Sequence, residues 1–219
     1  MGRSDRQLLA AIETQARELC HNHDAAHDAA HLMRVVANAR LILACERTAT
    51  PDLAAFVIFA ACWLHDVVQL PKGSGRPGES ARRSAACARA LLEQLGVDQE
   101  RAGHVAAAVR THSYSGGERP ATLEAAIVQD ADRLDALGAV GVARLFVVAG
   151  TLGSALYHLD DPRAERRPLA DARYALDHIT TKLVKLPDLM NTASARRIAD
   201  ERLVYILAYR DQFLSEVGR

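Results

Sequence analysis

At 219 residues the chain has room for one large domain or two small ones. Its 27 Lys and Arg cancel its 27 Asp and Glu. No global field therefore favours nucleic acid or an anionic membrane, and any grip on an anionic substrate has to be local. With 49% hydrophobic and 25% charged residues, the chain has the balance of a soluble globular protein with a sizeable core. Cys20, Cys45, Cys62 and Cys87 lie far apart inside helical patterns. That spacing argues for small core residues in a reducing compartment and against a disulfide framework. The N-terminus is polar, without the apolar stretch of a signal peptide. The longest apolar run, Ala54 to Leu64, is too short for a bilayer, which needs about 20 residues. The expectation is a cytoplasmic protein with no nucleic-acid and no membrane partner.

Apolar residues recur at three- and four-residue spacing nearly throughout, and strand-like alternation is almost absent. The pattern predicts an all-α fold, a single helical domain over 1–219. Helices are expected near 4–21, 26–47, 52–69, 80–95, 98–112, 121–149, 171–186 and 191–217. Thr50-Pro51 offers an N-cap followed by a residue suited to the first helical turn. Ser80 can cap the next helix, and Gly96 can close it in a left-handed conformation. Asn191 or Thr192 can cap the last. Gly138 and Gly141, inside the long helix 121–149, read as a close helix crossing. Three stretches rich in Gly, Pro, Ser and charge are expected as loops: Pro71–Glu79, Ser113–Pro120 and roughly His158–Leu169.

The residues that can carry chemistry begin with His27-Asp28-Ala29-Ala30-His31. On a helix the two histidines share a face, and one can ligate metal; Arg34 then falls at the rim of a cleft. The alternatives are surface residues of an amphipathic helix, or the HExxH motif of zinc peptidases. Here Asp28 stands in place of that motif's Glu base, one methylene too short. His65-Asp66 closes the almost unbroken apolar run. A buried titratable pair costs several kcal/mol unless satisfied. A metal ion satisfies both side chains, as imidazole and carboxylate are good ligands; a His–Asp hydrogen bond is the other solution. Asp130, Asp132 and Asp135 lie in a strongly apolar segment, and Asp132, Asp135 and Gln129 share a face. Ion pairing with Arg133 or Arg144 accounts for at most one of these acids. His112 ends a predicted helix and can relay a proton, donate to phosphate, or simply face the helix dipole. His104 reads as structural. His178, Lys182 and Lys185, spaced four and three, form one basic helical face.

Together these segments resemble the HD-domain phosphohydrolase superfamily, whose signature order is His, His-Asp, Asp: here His31, His65-Asp66 and Asp132. HDAAHLMRV, THSYSGG, QDADRLDALGAVGVAR and KLVKLPDLMNTASARRIADER look like a bacterial branch of small stand-alone HD hydrolases, a likeness running from about Ala26 to Phe213. The resemblance implies a helical bundle with His31, His65, Asp66 and Asp132 as metal ligands, and His27 and Asp28 in support. It places Arg34, His112, Asp135, Lys182 and Lys185 around the substrate. Asp66 belongs to the catalytic set it implies, with His112 and Asp135 as acid–base candidates. The branch is similar to proteins that hydrolyse nucleoside triphosphates to the monophosphate and pyrophosphate, with manganese the favoured ion. A mixed nitrogen–oxygen set also admits Mg, Co, Fe, Ni or Zn. The implied partner is a small-molecule nucleotide or phosphate ester, and a homodimer is compatible with the sequence. The alternatives are a 5′-nucleotidase or phosphodiesterase at the same metal site, a di-iron oxygenase needing further histidines, and a non-catalytic nucleotide sensor. In one respect the sequence departs from the branch: Ile179-Thr180-Thr181 follow His178 where aromatics are usual.

Overall fold

Residues 4–50, 54–70, 77–113 and 116–217 are described by the computed structural model. Among them the helical periodicity is realised as nine α-helices without a sheet; one isolated bridge joins Ala155 and Tyr174. No single helix among the described residues is long and apolar enough to cross a membrane. The chain divides into two compact units, Met1–Asp132 and Arg133–Arg219.

The first unit contains α1 (Asp5–Leu19), α2 (Ala29–Glu46), α3 (Ala55–Leu64), α4 (Glu79–Gln94), α5 (Gln99–Thr111) and most of α6 (Leu123–Asp135). Side-chain caps start several of these. Ser4 and Gln7 form a capping box on α1. Asp28 accepts the His31 N–H at 3.0 Å on α2, and Asp98 accepts that of Arg101 at 2.9 Å on α5. Gly96 closes α4 as expected: its φ is +81°, and Val97 N–H reaches back to the Leu92 carbonyl at 3.0 Å. At the centre lies α3, where Phe56, Val57, Ile58, Ala60, Ala61, Cys62, Trp63 and Leu64 are buried. A helix apolar all round needs neighbours on every side, and α1, α2, α4 and α5 supply them.

Some expected boundaries are corrected. Ser80 does not cap α4; its hydroxyl accepts the Leu70 N–H at 3.3 Å. Gly78 precedes the helix at φ +73°, where an added Cβ would sit 2.9 Å from the Gly116 Cα. Pro51 lies outside the described residues, and α3 starts after Ala54 without a side-chain cap. Of the cysteines, all free, Cys20 and Cys62 are buried but Cys45 is exposed.

The second unit holds α7 (Gly138–Thr151), α8 (Ala175–Thr181), two 3-10 turns (Leu183–Lys185, Pro187–Leu189) and α9 (Ala193–Val217). Thr192 caps α9 through the Ala195 N–H at 3.2 Å. Helices α7 and α9 pack together, with the rings of Phe146, Tyr209 and Phe213 about 6 Å apart. Arg167 grips the buried Asp177 through two bonds of 2.6 and 2.8 Å, ordering the loop before α8.

The predicted helix 121–149 is two helices. Leu137 is extended, Gly138 has φ +73°, and a Cβ on Gly141 would lie 2.2 Å from the Ala136 carbonyl oxygen. These glycines make a chain break, not the helix crossing expected of them. The predicted helix 171–186 shrinks to α8 because Lys182 leaves helical geometry at φ −128°. Lys185 therefore does not share a helical face with His178. Gly141→Ala is expected to destabilise the protein by about 1–3 kcal/mol through overpacking against backbone. A denaturant midpoint unchanged from wild type would contradict this account of the break.

Candidate metal centre

Helix ends deliver most of the titratable groups. His31 occupies the first turn of α2, held by the Asp28 cap to its own N–H. Leu32, Val35 and Val36 bury the same side of the helix. Helix α3 stops at Leu64, His65 is its C-cap, and Asp66 stands in the following turn. Successive positions inside a helix diverge by about 100°; leaving the helix lets His65 and Asp66 converge on one point. The His65 Nδ1–H donates to the Cys62 carbonyl at 2.9 Å, which leaves Nε2 as a lone-pair donor. His112 caps the end of α5 in the same way, with Nδ1 2.6 Å from the Val109 carbonyl. Asp132 comes from the last turn of α6.

These side chains meet. The two Nε2 atoms of His31 and His65 are 3.1 Å apart. Asp132 Oδ1 lies 3.5 Å from His31 Nε2 and 3.7 Å from His65 Nε2. Asp66 Oδ2 lies 3.8 and 3.9 Å from the same two nitrogens, while its Oδ1 is 3.5 Å from His112 Nε2. Two overlapping groups able to hold a metal ion result: His31, His65 and Asp132, and His65, Asp66 and His112. His31 and His65 are fully buried, whereas the Asp132 side chain keeps 23% of its surface exposed. The cluster is thus open on the carboxylate side.

The electrostatics fit a cation. Burial pushes His65 down to about 4, against the pull of Asp66 and Asp132, so its imidazole is neutral at pH 7. For Asp66, burial acts upward, but the His112 hydrogen bond and the three imidazoles hold it well below the usual carboxylate range. Asp132 is likewise lowered: His65, His31 and His112 outweigh its burial. His112 is lifted to about 9, because the Asp66 carboxylate overrides the effect of burial. Burial pushes the Cys62 thiol up, so Cys62 acts through its carbonyl and not as a thiolate. Neutral imidazoles and ionised carboxylates are the forms a divalent ion needs. Adjacent donors of an octahedral ion with bonds of about 2.1 Å stand about 3.0 Å apart, close to the spacings found here.

Other residues singled out from sequence have varied placements. Arg34 is partly buried one turn beyond His31. His27 pairs with Asp24 at 2.8 Å, its ring 6.0 Å from that of His31. His104 is exposed on α5. In the second unit, Asp135 is buried and ion-paired with Arg144 at 2.9 Å, while Arg133 donates to the Leu189 carbonyl. His178 pairs with Asp171 at 3.2 Å, Lys182 is the C-cap of α8, and Lys185 is exposed in a 3-10 turn. Sequence reasoning overlooked Asn38. Its signal was a polar residue seven positions after His31, on the buried side of α2.

All five clustered side chains lie within residues 28–137, which match the family model of the HD domain. The chain belongs to the HD domain family. It is 32% identical over 212 residues to the uncharacterised protein YpgQ of Bacillus subtilis, covering 94% of this chain and 92% of that one. A crystal structure of YpgQ in complex with ADP is similar at a TM-score of 0.72 and 31% identity, covering 95% of this chain and 97% of that one. An HD-superfamily hydrolase of Bacillus thuringiensis is similar at a TM-score of 0.70 and 29% identity, over 97% and 98% of the two chains. Family and site together make this chain a hydrolase of the HD superfamily, in general terms a metal-dependent phosphohydrolase.

A pH signature follows for the metal-free protein. A histidine whose folded value exceeds its unfolded one stabilises fully below the unfolded value, and the benefit is lost as pH rises through the folded value. For His112 the loss should therefore run from about 6.5 to about 9. In Asp66→Asn burial is opposed only by Asp132 and the Val109 carbonyl, and the His112 value should fall. Titration of the histidine ring protons by NMR in chelator would show it; an unmoved His112 would refute the Asp66 pairing.

Proposed function

We propose that the chain hydrolyses nucleoside triphosphates to the monophosphate and pyrophosphate with a divalent ion, manganese favoured, held by His31, His65, Asp66 and Asp132. The observation that carries the metal reading is the convergence of two Nε2 atoms and two carboxylates on one point. The nucleotide part is supported by the complex of the relative YpgQ with ADP, a nucleoside diphosphate. A bound divalent ion would supply Lewis-acid charge at phosphorus and a more acidic water.

The residues contribute distinct tasks to that reaction. His65 offers a neutral donor that no proton contests near pH 7, since burial holds it at about 4. The Cys62 carbonyl fixes the orientation of its ring. Asp66 spans the cluster, one oxygen toward His31 and His65 and the other toward His112. His112, protonated beside Asp66, is assigned to donate a proton or hydrogen bond to the substrate phosphate. Arg34 is assigned to phosphate oxygens. Coordinated pyrophosphate is a good leaving group, so a strong general acid is not required.

A panel of nucleotides assayed with manganese, magnesium and cobalt, measuring pyrophosphate and orthophosphate separately, tests the reading. Triphosphates should release pyrophosphate. Orthophosphate without pyrophosphate would sink this reaction while leaving a phosphohydrolase. His65→Ala and Asp132→Ala should each lose bound metal and at least about a thousandfold in kcat. A full equivalent of divalent metal retained in either variant would overturn the ligand assignment.

A further inference from the structure

We propose that Asn38 and Gln129 are positioning residues of the metal centre, two buried amides that hold Asp132 on α6 in register with His31 on α2 and His112 on α5. The proposal rests on the reading of the cluster as a metal centre. Asn38 is 4% exposed and Gln129 2% exposed. The Asn38 Nδ2–H donates to the carbonyl of Ala131, the residue next to Asp132, at 3.0 Å. Gln129, three residues before Asp132, donates through Nε2 to the carbonyl of Thr111, the residue next to His112, at 2.6 Å. The same nitrogen reaches the Glu118 carbonyl at 3.4 Å.

The need for such bonds is geometric. The apolar part of the buried α6 surface in this unit is Ala125, Ala126, Ile127, Val128 and Ala131, mostly small, and Gln129 and Asp130 are buried beside it. Apolar burial is non-directional, so it tolerates a helix that slides or rotates slightly. A metal ligand does not, and one residue of slip moves a helix by about 1.5 Å. A buried amide has a definite direction, and losing its partner carries a full desolvation penalty. Each amide therefore penalises slip of α6 in a way the apolar face does not. The Thr111 carbonyl, in the last turn of α5, has no partner within its own helix; Gln129 supplies one and ties the end carrying His112 to α6. Asn38 lies seven residues after His31, on nearly the same side of α2. Asparagine is a poor helix-interior residue, and Leu32, Val35, Val36, Ala39, Ile42 and Leu43 are its buried neighbours along the helix. A leucine would serve packing better there.

The test compares wild type with Asn38→Leu and Gln129→Met, which keep volume and remove the donor, and with Ile12→Val as a core control far along α1. Circular dichroism and urea unfolding report the fold and its stability. Manganese titration and the visible spectrum of the cobalt-loaded protein report the site. Each amide variant should bind manganese about ten- to a hundredfold more weakly and alter the cobalt spectrum, whereas Ile12→Val should lower stability with manganese affinity within about twofold. Either amide variant that folds decides the matter. Wild-type affinity and spectrum in a folded amide variant, or an equal loss of affinity in Ile12→Val, would overturn the positioning role alone. Absence of manganese binding by wild type would instead overturn the metal-centre reading, and this proposal with it.

Discussion

Three imidazoles and two carboxylates sit in an interior filled mainly with apolar side chains, and their mutual compensation governs the first unit. Isolated, any one of them would be too costly to keep ionised away from water. Together they divide the charge: His65 stays neutral, Asp66 and Asp132 stay ionised, and His112 carries the proton that Asp66 stabilises. A cluster of two anions facing two imidazole lone-pair positions is arranged for a cation. The convergence of these donors is thus a consequence of where the helices end.

Helix termini are the device that gathers the cluster. A straight helix presents neighbouring side chains about 100° apart, which would split His65 from Asp66. Stopping α3 at Leu64 removes that restriction. The same economy of position operates at His31 in the first turn of α2 and at His112 after the last turn of α5. In His65 and His112 Nδ1 meets the carbonyl three residues earlier, so Nε2 points away from the helix and into the cluster. Asp132 lies in the last turn of α6, the helix that has buried amide ties to α2 and α5.

Much of this was legible in the residues. The apolar run into His65-Asp66 announced a central buried helix ending in a titratable pair, because a pair buried there demands a partner. Asp28, the second residue of the HDAAH segment, was ambiguous from sequence. The structure shows it as the α2 cap, a role set by local chain geometry. Periodicity failed at 121–149 and 171–186, where apolar spacing continues through the chain although the backbone turns. At Gly138 and Gly141 the cause is a left-handed residue and a Cβ-sized gap against a carbonyl, neither of which hydrophobic spacing encodes. The lost basic face of His178, Lys182 and Lys185 has the same origin, since helical spacing ceases to mean proximity once the helix stops.

Sequence alone determined the all-α class, the buried character of α3 and the set of residue types capable of holding a metal, since these depend on composition and on apolar spacing along the chain. It also carried the family, through motifs at fixed order. Tertiary structure alone decided that His31, His65, Asp66, His112 and Asp132 meet, which nitrogens face inward, and that His112 rather than His104 faces Asp66. Those outcomes depend on where each helix terminates and on hydrogen bonds between residues 18 to 93 positions apart. No local pattern along the chain contains such a bond.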